Sequence, residues 1–109
     1  MHHQVKELCD NYFTSGIDLL GSPNEYTRIS GAYHLFSLAS KHKKEHLESV
    51  CEILCAHIHS ITNKLEYKIK YTDEPSKEIQ TILNILFKEE RGELIFEKCK
   101  KKFCFFFGK

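Results

Sequence analysis

The chain has 109 residues, enough for one domain and little more. Its 41% apolar and 28% charged residues describe a well-solvated exterior around one core, which excludes a wholly disordered chain. Sixteen basic residues against fifteen acidic ones leave a formal charge of +1, short of the strongly basic balance of a dedicated nucleic-acid binder.

The five cysteines are Cys9, Cys51, Cys55, Cys99 and Cys104, and the polar start Met-His-His-Gln-Val-Lys-Glu has no apolar stretch of signal-peptide type. An odd count without a secretory signal points to reduced thiols and a cytoplasmic location. The apolar run from Phe103 to Phe107 spans five residues, far short of the roughly 20 needed to cross a bilayer.

Residues 3 to 20 place Val5, Leu8, Cys9, Tyr12, Phe13 and Ile17 at helical spacing. Gly21 and Pro23 then form a stop signal, with Gly21 free to take the left-handed cap and Pro23 unable to continue the ladder. A second helix is expected from Ser22 or Asn24 to about His42, with Ser22 as cap and Glu25 within reach of a capping box. Its broad apolar face comprises Ile29, Ala32, Tyr33, Leu35, Phe36, Leu38 and Ala39. Gly31 inside a helix costs up to about 1 kcal/mol relative to alanine, so a close approach by a neighbouring helix is expected there.

His42 to Glu45 reads as a short turn implying an antiparallel hairpin. The third helix carries Leu47, Val50, Cys51, Ile53, Leu54, Ile58 and Ile61, and its apolarity suggests a central position. Between residues 62 and 75, Leu65, Tyr67, Ile69 and Tyr71 alternate with charged residues at a strand-like period of two. No second strong strand signal accompanies them, so an extended loop is the expectation. A fourth helix starts between Asp73 and Ser76, with Pro75 in its first turn and Ile79, Ile82, Leu83, Ile85 and Leu86 as its stripe. Beyond Lys88 the pattern weakens into a charged segment that extends or follows this helix. The expectation is an all-α fold of about four helices in antiparallel hairpins, HEAT-like or an irregular bundle. Residues 1–88 would form the helical domain, and 89–109 a charged, then phenylalanine-rich, tail.

Two stretches carry a family resemblance. Residues 12–22, Tyr-Phe-Thr-Ser-Gly-Ile-Asp-Leu-Leu-Gly-Ser, precede Thr27-Arg28-Ile29-Ser30-Gly31-Ala32-Tyr33-His34-Leu35. This resembles the helical region before the repeats of many bacterial pentapeptide-repeat proteins, where a "QLGS" turn precedes "VRLGGIYALERIA". Val50 to Ala56 is similar to that region's "VMEVLTAFV" helix, and Pro75 to Leu83 to its "DVQAALTVI" helix. The resemblance covers roughly residues 12 to 87. It departs at His34, where the family has alanine, and at Phe36, where it has glutamate. No Ala-(Asp/Asn)-Leu-X-X repeats follow, and from about Lys100 the chain reads as unrelated to the family's frame. The resemblance implies an all-helical module appended to another functional part, with no catalytic residues to transfer.

Among chemistry-bearing residues, Cys51, Cys55 and His59 recur every four positions along one helix face, with His57 nearby. Three such ligands span about 12 Å at 1.5 Å per residue, too far for one zinc ion with bonds of about 2.0 to 2.3 Å, so buried cysteines are the simpler reading. His2, His3 and Cys9 are better read as a frayed terminus than as a metal site. No glycine-rich phosphate loop occurs, and no cysteine–histidine pair stands out as a nucleophile and base. No cofactor and no enzymatic activity are therefore expected.

The leading expectation is a non-catalytic helical interaction or assembly module, with Phe103, Phe105, Phe106 and Phe107 as candidate contacts for a protein partner or a second copy. The alternative is a nucleic-acid-binding domain using Lys98, Lys100, Lys101 and Lys102. Arg28 is expected to have a structural role, pairing with Asp18 or Glu25.

Overall fold

The computed structural model describes residues 2–90 and 93–94, with side chains described for 8–88. The described residues form an all-α fold of five helices: α1 (His2–Leu20), α2 (Glu25–Lys41), α3 (Lys43–Thr62), α4 (Leu65–Lys70) and α5 (Lys77–Leu86). After α5 the backbone turns into a minimal antiparallel ladder instead of prolonging the helix. Its strands are β1 (Glu89–Glu90) and β2 (Glu93–Leu94), with Glu89 opposite Leu94 and Glu90 opposite Glu93. Among the described residues no helix is long and apolar enough to cross a membrane.

The turn between α1 and α2 is held by side chains. Ser22, the expected cap, instead accepts a hydrogen bond from the Asn24 backbone N–H through Oγ at 3.1 Å. Asn24 is the N-cap, its Oδ1 accepting from the Thr27 N–H at 3.0 Å. Gly21 ends α1 without the left-handed backbone that a glycine cap would use. Its N–H bonds back to the carbonyls of Ile17 and Asp18, a continuation of the helical pattern that needs no positive φ.

Helices α2 and α3 share the centre: α2 packs on α1, α3 and α5, and α3 on α2, α4 and α5. The core takes Leu20 from α1, Ala32, Leu35 and Ala39 from α2, Val50, Leu54 and Ile58 from α3, and Ile79, Ile82, Ile85 and Leu86 from α5. The expected four-residue turn between α2 and α3 is the single residue His42. Its N–H donates to the Leu38 carbonyl at 2.9 Å, and its own carbonyl accepts from Glu45 and His46, so one residue closes one helix and opens the next.

Where an extended loop was expected, Leu65–Lys70 forms helix α4. The alternating residues are also two pairs four apart, and a helix sorts them onto two faces. Tyr67 and Tyr71 are partly buried with ring centroids 4.7 Å apart, whereas Leu65 and Ile69 are exposed. The Tyr67 hydroxyl accepts a hydrogen bond from the buried Ser76 N–H at 2.9 Å. Ser76 in turn caps α5 by accepting from the Ile79 N–H, so α5 starts after Pro75 and not around it.

Helices α1 and α2 approach until their backbones meet. A β-carbon on Gly31 would lie 2.6 Å from the Leu20 nitrogen and 3.0 Å from the Gly16 carbonyl oxygen. At Gly16 the atoms nearest the added one would belong to side chains, those of Leu35 and His34. His34 and Phe36 take part in the packing around this contact. His34 stacks on Tyr12 with centroids 3.5 Å apart, and Phe36 packs against the core beneath the Lys88 ammonium. We expect Gly31→Ala to lower the unfolding free energy by about 2 kcal/mol or more, as overpacking against backbone does. Gly16→Ala should lose less, because a side chain yields more easily than backbone; urea unfolding of both variants checks the order.

Candidate functional site

Three polar side chains sit on otherwise apolar faces. Arg28 lies on the stripe of Ala32, Leu35 and Ala39, His57 on that of Val50, Leu54 and Ile61, and Glu78 on that of Ile82 and Ile85. Packing the three stripes together brings these residues to one place. Glu78 is 1% exposed, and a carboxylate so placed stays ionised only with matched donors.

The donors are present. Arg28 reaches the carboxylate in a bidentate fork, Nε to Oε2 and the second terminal nitrogen to Oε1, both at 2.9 Å. His57 Nε2 lies 2.6 Å from Oε2, and opposite a carboxylate this nitrogen must carry the proton. The remaining Arg28 terminal nitrogen donates to the Ser22 carbonyl at 3.0 Å. One cluster thus joins the α1–α2 turn, α2, α3 and α5.

Burial would by itself raise the pKa of Glu78. The hydrogen bonds from His57 and Arg28, with their charges, outweigh it and bring the value from an ordinary 4.5 down to about 2. The hydrogen bond to Glu78 holds the Arg28 guanidinium above its ordinary range against its own partial burial, and the charge of Glu25 adds to this. The partner of Arg28 is therefore Glu78, fifty residues away, in place of the expected Asp18 or Glu25.

This cluster binds helices to one another. The fork, the imidazole and the Ser22 carbonyl engage both carboxylate oxygens and three guanidinium nitrogens. Gly31 stands one turn further along α2, at the close approach to α1. No family model, curated protein or solved structure matches the chain.

The cysteine and histidine face on α3 divides. Cys51 and Cys55 are buried in the core and His59 is exposed. Among the described residues no group of three or more histidines, cysteines and carboxylates is placed to hold a metal ion. Cys9 is half-buried and carries a free thiol. The candidate contacts Lys98, Lys100, Lys101, Lys102, Phe103, Phe105, Phe106 and Phe107 lie outside the described residues.

Because the pKa of Glu78 is lowered on folding, its stabilisation is complete above about pH 4.5 and is lost as the pH falls toward 2. That loss is on the order of 3 kcal/mol. Urea unfolding across this window should show a steep fall for the natural chain and a shallower one for Glu78→Gln. Parallel slopes would deny the carboxylate its part.

Proposed function

We propose that the chain is a non-catalytic helical interaction module that assembles through its helix faces with a second copy or a protein partner. The observation that carries this reading is on α4, where Leu65 and Ile69 stand one turn apart at 71% and 69% exposure. Two large aliphatic side chains held side by side in water form a surface suited to burial against another helix. Tyr26 and Tyr33, seven residues apart on α2, and Leu8 on α1 add further exposed apolar contacts. The most deeply placed polar cluster, around Glu78, is spent on holding helices together, which is consistent with a scaffold role. The likeness of residues 12–87 to the helical region before pentapeptide repeats supports the same reading, since such a region is a module appended to another part.

Light scattering coupled to size exclusion, over a dilution series of the full chain, tests this. The natural chain should associate, and Leu65→Ser/Ile69→Ser should weaken association at least tenfold, about 1.4 kcal/mol. Both positions are exposed, so the variant's own stability should stay within about 0.5 kcal/mol per site. Monomers at every concentration, in natural chain and variant alike, would contradict assembly through this face.

A further inference from the structure

Away from the Glu78 cluster, α1 and the end of α2 enclose an open cleft of about 230 Å³. Leu8, Tyr12 and Leu38 supply apolar wall, and Ser37 and Lys41 bring a hydroxyl and an ammonium to the same cleft. Cys9 and His42 line it together, with Cys9 Sγ 3.5 Å from His42 Nε2, within hydrogen-bond reach for sulfur. Of the three cysteines among the described residues, Cys51 and Cys55 are buried, and Cys9 alone is partly exposed.

His42 is well placed to act as a base. Its backbone closes α2 and opens α3 through three hydrogen bonds, while its side chain makes no capping bond and turns toward Cys9. A fixed backbone carrying an uncommitted imidazole is a preorganised partner for a thiol. The cleft is below the usual size of drug-like sites, roughly 300 Å³ and upward, so it fits a small apolar group. Among the described residues no carboxylate lines it, and Ser37 and Lys41 are donors suited to the oxygen of a carbonyl under attack.

We propose that Cys9 is a modification site that accepts a short apolar acyl group from an acyl thioester, with His42 as base and the cleft as the seat of the acyl chain. With the imidazole proton on Nδ1, Nε2 takes the proton of the Cys9 thiol. The sulfur attacks the thioester carbonyl carbon, a new carbon–sulfur bond forms, and the bond to the departing thiol breaks. His42 returns the proton to that thiolate. One thioester replaces another, and nothing is oxidised or reduced.

The test uses the full chain and butyryl-N-acetylcysteamine, with the rate read by intact mass and the position by peptide mapping. One butyryl group should appear on Cys9, removable by neutral hydroxylamine. Its rate should exceed that of the urea-unfolded chain at the same pH by roughly tenfold or more, a modest share of what a positioned base supplies. His42→Asn, checked for folding by circular dichroism, should bring the rate down toward the unfolded value. The β-alanyl thioester, which is the size of butyryl but carries an ammonium into an apolar cleft already holding Lys41, should react roughly tenfold more slowly than butyryl, relative to the unfolded chain. Equal rates in folded and unfolded chains, or equal preference for butyryl and β-alanyl, would overturn the proposal even if His42→Asn fails to fold. A folded His42→Asn variant with an unchanged rate would overturn it as well.

Discussion

The Glu78 carboxylate is almost wholly withdrawn from water, and ionised groups do not remain there unless neighbours replace the lost hydration. Arg28 and His57 replace it from two other helices, with N–H donors at 2.9, 2.9 and 2.6 Å. Each donor must then arrive from a set position, which fixes how α2, α3 and α5 lie against one another. The fork also fixes the α1–α2 turn, because the third guanidinium nitrogen is bound to the Ser22 carbonyl. An apolar replacement of the same shape would often hold a core as firmly. What the ionic cluster adds is selection of one arrangement, since a shifted helix leaves a buried charge without its donors.

Close backbone packing complements that charge arrangement. Arg28 and Gly31 lie within one turn of α2, so the residue that holds α5 and the residue that admits α1 are neighbours. Movement of α2 would disturb both contacts at once. The rest of the core, chiefly Leu35, Leu54, Ile82 and Leu86, supplies the larger non-directional share of stability by leaving water. Tyr67 and Ser76 tie α4 to the start of α5 and so bring Glu78, in the first turn of α5, to its partners.

Much of this arrangement is legible in the sequence, because periodicity reports faces. The stripes of α3 and α5 can be read from apolar spacing, as can the need for a small residue at Gly31. By contrast, Leu8, Tyr12 and Ile17 of the expected α1 stripe and Tyr33 of the α2 face are exposed. Arg28 is recognisable as an unusual residue, yet its partner is not, because a contact across fifty residues leaves no local trace. A signal does exist: Glu78 and His57 occupy stripe positions, and a charged or polar residue on an apolar face calls for a partner on a facing one. Helix α4 was hidden for a different reason. Its residues alternate at a strand's period, and only tertiary packing of Tyr67 decides between the two readings. Gly21 and Ser22 show the limit of local rules, since Gly21 closes α1 without the left-handed cap and Ser22 yields the N-cap of α2 to Asn24.

The most direct measurement of the central claim is a double-mutant cycle between Arg28 and Glu78, read by urea unfolding near neutral pH. Arg28→Met alone should cost about 3–5 kcal/mol, because it leaves a buried carboxylate short of donors. Arg28→Met/Glu78→Leu should cost less than the sum of the single changes by at least about 1.5 kcal/mol. Costs that add within about 0.5 kcal/mol would mean that the two residues stand near each other without depending on each other, and that the cluster does not select the helix arrangement.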